Sequence, residues 1–177
     1  DGDIVMRTSV SIAPDDDVEI RRMTITNHGN EPRVFALTSY MEVILTQQSV
    51  DQRHPAFNDM FIESTYVADA QCLLFYRRPR SADETPIYMA HFFVSNHEHI
   101  KQSGYETDRR VFLGRGGTIK YPGVFSVNNE ASMLSGKTGA TLDPICALQA
   151  EVAMSHYETV QVAFVTLAAA SRKEALQ

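Results

Sequence analysis

Apolar and polar residues alternate along most of this chain with the period of two expected of half-buried strands. "IVMRTSVSI" predicts a strand over Ile4–Ile12, closed by "APDDD". "VEIRRMTITN" predicts a second over Val18–Asn27, closed by "NHGNEP", whose Gly29, Asn30 and Pro32 are turn residues. Residues 34–45 carry Phe35, Leu37, Met41, Val43 and Leu45 on one face and Val34, Ala36, Tyr40 and Ile44 on the other. Apolarity on both faces predicts a central strand covered on both sides. The period is lost from Thr46 to Phe61, which reads as a long loop, and such loops are often functional.

Strands resume at residues 61–67, 71–77 and 87–95, the last two separated by the polar connection "RRPRSADETP". Two more are expected at residues 145–154 and 159–167, joined tightly by "SHYE". Gly104 to Gly117, "GYETDRRVFLGRGG", reads as a polar loop around an apolar Val111-Phe112-Leu113 anchor. About nine to twelve strands with almost no helix predict an all-β sandwich of large antiparallel sheets. At the C-terminus, "SRKEALQ" carries a capping box, with Ser171 as N-cap and Glu174 three residues on. A helix starting at Ser171 and ending within two turns is too short to stand alone. The expectation is therefore a β-domain over 1–170, with 171–177 beginning a helical linker to a region that follows.

A chain of 177 residues fits one domain, and 44% hydrophobic with 21% charged residues excludes disorder. A formal net charge of −6 without a basic run argues against nucleic acid as partner. Cys72 and Cys146 belong to no C-x-x-C motif and read as small core residues, a disulfide being the alternative. No apolar run approaches the ~18 residues of a membrane span.

Among candidate ligands, His97 and His99 form an H-x-H pair that lacks the third ligand a zinc site needs, so no metal is assigned. His91 and His28 read as structural. His54 lies in the long loop, where Pro55 restricts its backbone and Phe57 can anchor by burial, so that the loop presents the imidazole to a ligand. "SGKTG" lacks the upstream glycine of a phosphate loop, and no nucleophile elbow occurs. In the Gly104–Gly117 stretch, Arg109, Arg110 and Arg115 offer planar donors, Glu106 and Asp108 are acceptors, and the glycines allow close backbone approach. That mixture suits recognition of an anion or a sugar, and equally suits a charged surface loop.

The ordered series "VEIRRMTITNHGNEPRVFALTSYMEVIL", "HPAF", "FIEST", "YETDRRVFLGRG", "LSGKTGATLDPICAL" and "ETVQVAFVT" resembles the N-terminal β-domain of glycoside hydrolase family 94. That family holds the cellobiose and chitobiose phosphorylases and the phosphorylase module of cyclic β-1,2-glucan synthases. The resemblance implies a galactose mutarotase-like two-sheet supersandwich, followed by a helical linker and an (α/α)6 barrel. It implies inverting phosphorolysis of a β-glucoside, with inorganic phosphate as co-substrate and no other cofactor. The catalytic acid belongs to the barrel, so no catalytic residue is assigned to this chain.

Carried onto this sequence, the family's loop maps to Glu106, Asp108, Arg109, Phe112 and Gly114. Arg109 is then the expected substrate contact, held by Asp108 and anchored by Phe112, with Arg115 and His54 as weaker candidates. The partners implied are β-glucan or oligosaccharide and the barrel of the same parent chain, with a homodimer left open. The parent would be an inner-membrane enzyme whose module faces the cytoplasm. An independent carbohydrate-binding module, with Tyr40, Tyr76, Tyr88 and Tyr105 as platforms, is the alternative. A mutarotase-like epimerase is the third reading, and it requires His91 or His97 beside a carboxylate inside a sheet cleft.

Overall fold

The computed structural model describes residues 2–81, 83–126 and 134–177; Ala82, in the polar connection after Arg77, lies outside them. Among the described residues ten strands run in order: β1 (Ile4–Ile12), β2 (Val18–Asn27), β3 (Arg33–Thr38), β4 (Met41–Glu42), β5 (Ile62–Val67), β6 (Cys72–Arg77), β7 (Ile87–Ser95), β8 (Lys101–Asp108), β9 (Pro144–Met154) and β10 (Thr159–Ala169). One sheet has six strands in the order β1-β2-β10-β7-β6-β5. In the other, β9 is central, with β3 and β4 along one edge and β8 along the opposite one. Every pairing is antiparallel, which gives the all-β two-sheet supersandwich expected from the pattern.

The two inner faces close on Ile25, Leu73, Phe75, Leu148, Val152 and Val160, all fully buried. Cys72 and Cys146 are buried free thiols. Burial pushes both thiols up, Cys146 far more than Cys72.

Three expectations change. The strand covered on both faces is β9, where Ile145, Cys146, Ala147 and Leu148 are all 0% exposed. The 34–45 segment lies instead at an edge. Its inner face is buried at Val43 and Leu45, while Val34 is 69% and Ile44 50% exposed. β3 and β4 are one strand in register, since Arg33↔Met154, Thr38↔Gln149, Met41↔Cys146 and Glu42↔Ile145 follow one progression. The interruption falls at Ser39, whose N–H donates to the Leu148 carbonyl at 2.9 Å and whose Oγ accepts from the Leu148 N–H at 3.1 Å.

β8 is the second change: the stretch opening at Gly104 begins inside a strand. Register shifts at Gln102/Gly104 and Glu106/Asp108 break its alternation, because a bulge flips the side chains that follow it. The third is local helix. α1 (Gln48–Asp51) and α2 (Pro55–Asp59) occupy the predicted long loop, and α3 (Arg109–Leu113) follows β8 directly. One turn of helix leaves no 3.6-residue period to detect.

At the C-terminus, α4 (Arg172–Ala175) is capped by Ser171, whose Oγ accepts from the Glu174 N–H at 3.2 Å. Ala175 is buried against Leu74 and Ala90 on the six-stranded sheet. Among the described residues no helix is long and apolar enough to cross a membrane.

Candidate functional site

The end of β8 is fixed by a buried carboxylate. Glu106 is 0% exposed, and its Oε1 accepts from the N–H groups of Thr107 at 2.9 Å and Asp108 at 3.0 Å. Its Oε2 accepts from the Ser135 N–H at 3.3 Å. Both oxygens are thus occupied by backbone donors, as a buried carboxylate requires. Thr107 Oγ1 donates to the Lys137 carbonyl at 3.1 Å, and Ser64 Oγ contacts both N–H and C=O of Gly139 at 3.0 Å. "SGKTG" is therefore a segment clipped between β5 and β8.

Asp108 caps α3, accepting from Arg110 N–H at 2.8 Å and Val111 N–H at 3.4 Å. Phe112 is 2% exposed and packs with Val124, Leu134, Ile145 and Ala147 over the outer face of β9. It is the anchor of the loop, and Tyr40 leans on its ring with centroids 5.1 Å apart. α3 ends at Gly114, whose φ of +67° is left-handed. A Cβ on Gly117 would lie 1.8 Å from the Leu113 carbonyl oxygen.

Arg109 leaves this platform toward solvent and is held by three groups, none of which is Asp108. Its Nε donates to the Tyr40 hydroxyl at 3.3 Å and lies 3.3 Å from Glu42 Oε1. Its Nη1 donates to Asp143 Oδ2 at 3.2 Å. The Tyr40 hydroxyl in turn donates to Glu42 Oε1 at 3.4 Å. The guanidinium is held more firmly protonated, by the Tyr40 hydroxyl first and then by Asp143. Burial, chiefly, pushes the Tyr40 phenol up. With its side chain 34% exposed, Arg109 still offers part of its fork outward.

Asp59, at the end of α2, faces the same carboxylates. Its pKa is pushed up to about 6, by burial first and then by Asp143, Asp51 and Glu42. Of these carboxylates, Glu42 and Asp143 share the guanidinium of Arg109. Met60 and Leu142, next in sequence to Asp59 and Asp143, are 43% and 79% exposed, and Ile44, two residues after Glu42, is 50% exposed.

The remaining expectations separate. Arg115 is exposed and makes no hydrogen bond or ion pair among the described residues. His54 precedes α2 and is exposed, and its side chain makes no capping bond. Phe57 does not anchor the loop: it is 47% exposed against Phe61, and among the described side chains of α2 the buried one is Asn58. The side chain of Pro55 lies outside the described residues. Glu42 and Asp143 escaped the sequence reading because they reach Arg109 from separate elements, and Tyr40, expected only as a sugar platform, joins them there. The only local sign was the acidic residue of "LDP" directly before β9.

His91 does not meet a carboxylate. It is 1% exposed, and its ring nitrogens lie 2.9 Å from Ser39 Oγ and 2.9 Å from Thr166 Oγ1. Burial first, then Arg21, lowers its pKa to about 4. His97 does meet one, with Nε2 2.9 Å from Glu158 Oε1. That pair joins the end of β7 to the start of β10. Among the described residues no group of three or more His, Cys, Asp or Glu side chains is placed to hold a metal ion. Of the expected platforms, Tyr76 stacks on Tyr88 at 4.7 Å, and Tyr105 stacks on Tyr66 at 4.4 Å.

Comparison with known proteins adds to this geometry. The family model described as glycosyl hydrolase 94, supersandwich domain, matches residues 1–177. The cyclic beta-(1,2)-glucan synthase NdvB of Rhizobium meliloti (strain 1021) is 34% identical over 172 residues, 97% of this chain. The chain spans only 6% of that relative's length. A solved polysaccharide lyase shares the fold at a TM-score of 0.51 and 14% identity, over 98% of this chain and 21% of its own.

Proposed function

Since the chain belongs to the glycosyl hydrolase 94 supersandwich domain family, we propose that it is a noncatalytic wall of a carbohydrate-active enzyme. In this reading it supports and partly lines the active site of a β-1,2-glucan phosphorylase-type module within a cyclic glucan synthase. The observation that carries the proposal is Arg109, a guanidinium fixed on a rigid platform by Tyr40, Glu42 and Asp143 yet one-third exposed. Such a fork suits vicinal hydroxyls or the phosphate co-substrate.

The partner on that side would be an (α/α)6 barrel of the same parent chain, which supplies the catalytic acid. The segment from Ser171 onward would lead into it. Two observations favour a supporting role. Both oxygens of Glu106 and Oδ1 of Asp108 accept from backbone N–H groups, and the buried His91 meets only hydroxyls. The parent would be a membrane enzyme presenting this module to the cytoplasm.

The test is Arg109→Ala in the full-length parent, assayed for phosphate-dependent cleavage of β-1,2-glucan. A roughly hundredfold loss of kcat/KM, about 2.7 kcal/mol of transition-state binding, with an unchanged melting temperature of this chain, is the expected result. Unaltered turnover would remove Arg109 from the cleft.

A further inference from the structure

β1 is the outermost strand of the six-stranded sheet, and among the described residues it pairs with β2 alone. The pairing runs in unbroken register from Ile4↔Asn27 to Ile12↔Glu19. The other edge of β1 is therefore a row of backbone N–H and C=O groups with no strand beside it. The opposite edge of the same sheet is not left so. There β5 is covered by the segment around Gly139, through the Glu63↔Ala140 bridge and the Ser64 N–H, which donates to the Gly139 carbonyl at 3.1 Å.

The faces of β1 are uncovered too. Met6 and Thr8 stand opposite the core residues Ile25 and Met23 and share the inward face of the sheet with them. Yet Met6, Val10 and Ile12, all on that face, are 52%, 58% and 65% exposed, so the second sheet does not reach over them. Val5, on the outward face, is 50% exposed. Edge strands that face water are usually blunted by charges, proline or a bulge. This one carries a single charge, Arg7, no proline and no register shift.

We propose that β1 is an inner strand of the parent's sheet, and that the parent chain leading into Asp1 lies antiparallel along its free edge as a further strand. Asp1-Gly2 stands directly before Asp3 and β1, and Asp-Gly is a preferred centre of two-residue hairpin turns. A strand tethered through so short a turn has a high effective concentration and outcompetes a second copy of the chain. Relative length leaves room for it, since the match to NdvB takes up only 6% of that protein. Such a strand would place apolar residues beside Met6, Val10 and Ile12 and extend the core under them. The proposal rests on the reading of this chain as part of a longer enzyme, and on nothing in the Arg109 network.

Two measurements on the full-length parent test this. Hydrogen exchange read by mass spectrometry follows the amides of residues 4–12. Strand amides point alternately to the two edges, so pairing with β2 alone would leave about half of them free to exchange. The expected result is protection of nearly all, to the level of β2. The second measurement replaces Val10 with the photoreactive p-benzoylphenylalanine and maps the cross-link. It should join Val10 to a segment preceding Asp1 in the same molecule, with co-expressed copies of different tag separating this from a link between two chains. If the photoreactive variant does not fold, exchange in the unmodified parent decides the matter. Free exchange at half of the β1 amides, a cross-link to a second copy or to residues after Gln177, or no cross-link to the preceding segment in a folded variant would each overturn the proposal. Neither readout depends on phosphorolysis, so this inference and the wall reading fail separately.

Discussion

Ser39 and His91 meet across the sandwich, Oγ to Nε2 at 2.9 Å, and join the interrupted edge of one sheet to the centre of the other. Ser39 is free to do this because β3 breaks there, and its hydroxyl also takes the Leu148 N–H. His91 lies parallel to the Phe164 ring at 5.7 Å, and its other nitrogen bonds Thr166. The imidazole is thus a neutral cross-sheet tie.

That neutrality makes stability depend on pH. The folded pKa of about 4 lies below the ordinary 6.5, so the unfolded chain takes up a proton first as pH falls. The contribution is intact above pH 6.5 and is lost as pH drops toward 4, by at most about 3 kcal/mol. Urea unfolding between pH 7 and 4 should show this slope in the parent sequence and a much flatter one in His91→Gln. Parallel slopes would contradict a buried neutral imidazole.

Asp59 acts in the opposite sense. Its folded pKa of about 6 exceeds the usual 3.8, so its contribution is complete below 3.8 and disappears as pH rises through 6. At pH 7 its charge opposes folding. Asp59→Asn should therefore stabilise the chain at pH 7 by about 1 kcal/mol, a figure reduced for solvent screening. The gain should vanish near pH 4. The same variant makes the His91 slope easier to resolve, because the two effects overlap between pH 6 and 4.

Gly117 and Gly116 separate steric closeness from backbone conformation. A Cβ at Gly117 meets the Leu113 carbonyl oxygen at 1.8 Å and the Gly123 nitrogen at 2.9 Å, and neither backbone atom can yield cheaply. Gly117→Ala should cost about 3 kcal/mol. Gly116 has a φ of +77° and nothing within 4 Å of its Cβ position, so Gly116→Ala should cost about 1 kcal/mol. Thermal unfolding of the two variants measures the difference. Equal costs would mean that the loop after Leu113 shifts to admit the methyl.

The apolar pattern placed β1, β2, β7, β9 and β10 nearly to their ends, although β1 turns out exposed on both faces and β9 buried on both. The buried role of Phe112 and the cap at Ser171 were legible in local pattern as well. The tertiary structure decided what local pattern does not encode. β8 was hidden by its two bulges. The exposed outer face of residues 34–45 follows from sitting at an edge, while β9 gained cover on both sides from α3 and the loop behind it. The site divides in the same way. Arg109 was pointed to by the family resemblance rather than by its local pattern; its expected holder Asp108 spends an oxygen on a helix terminus, and the groups that hold the guanidinium come from residues 40, 42 and 143. Hydrogen bonds and charge act through space, so partners distant in sequence become neighbours only when the sheets close.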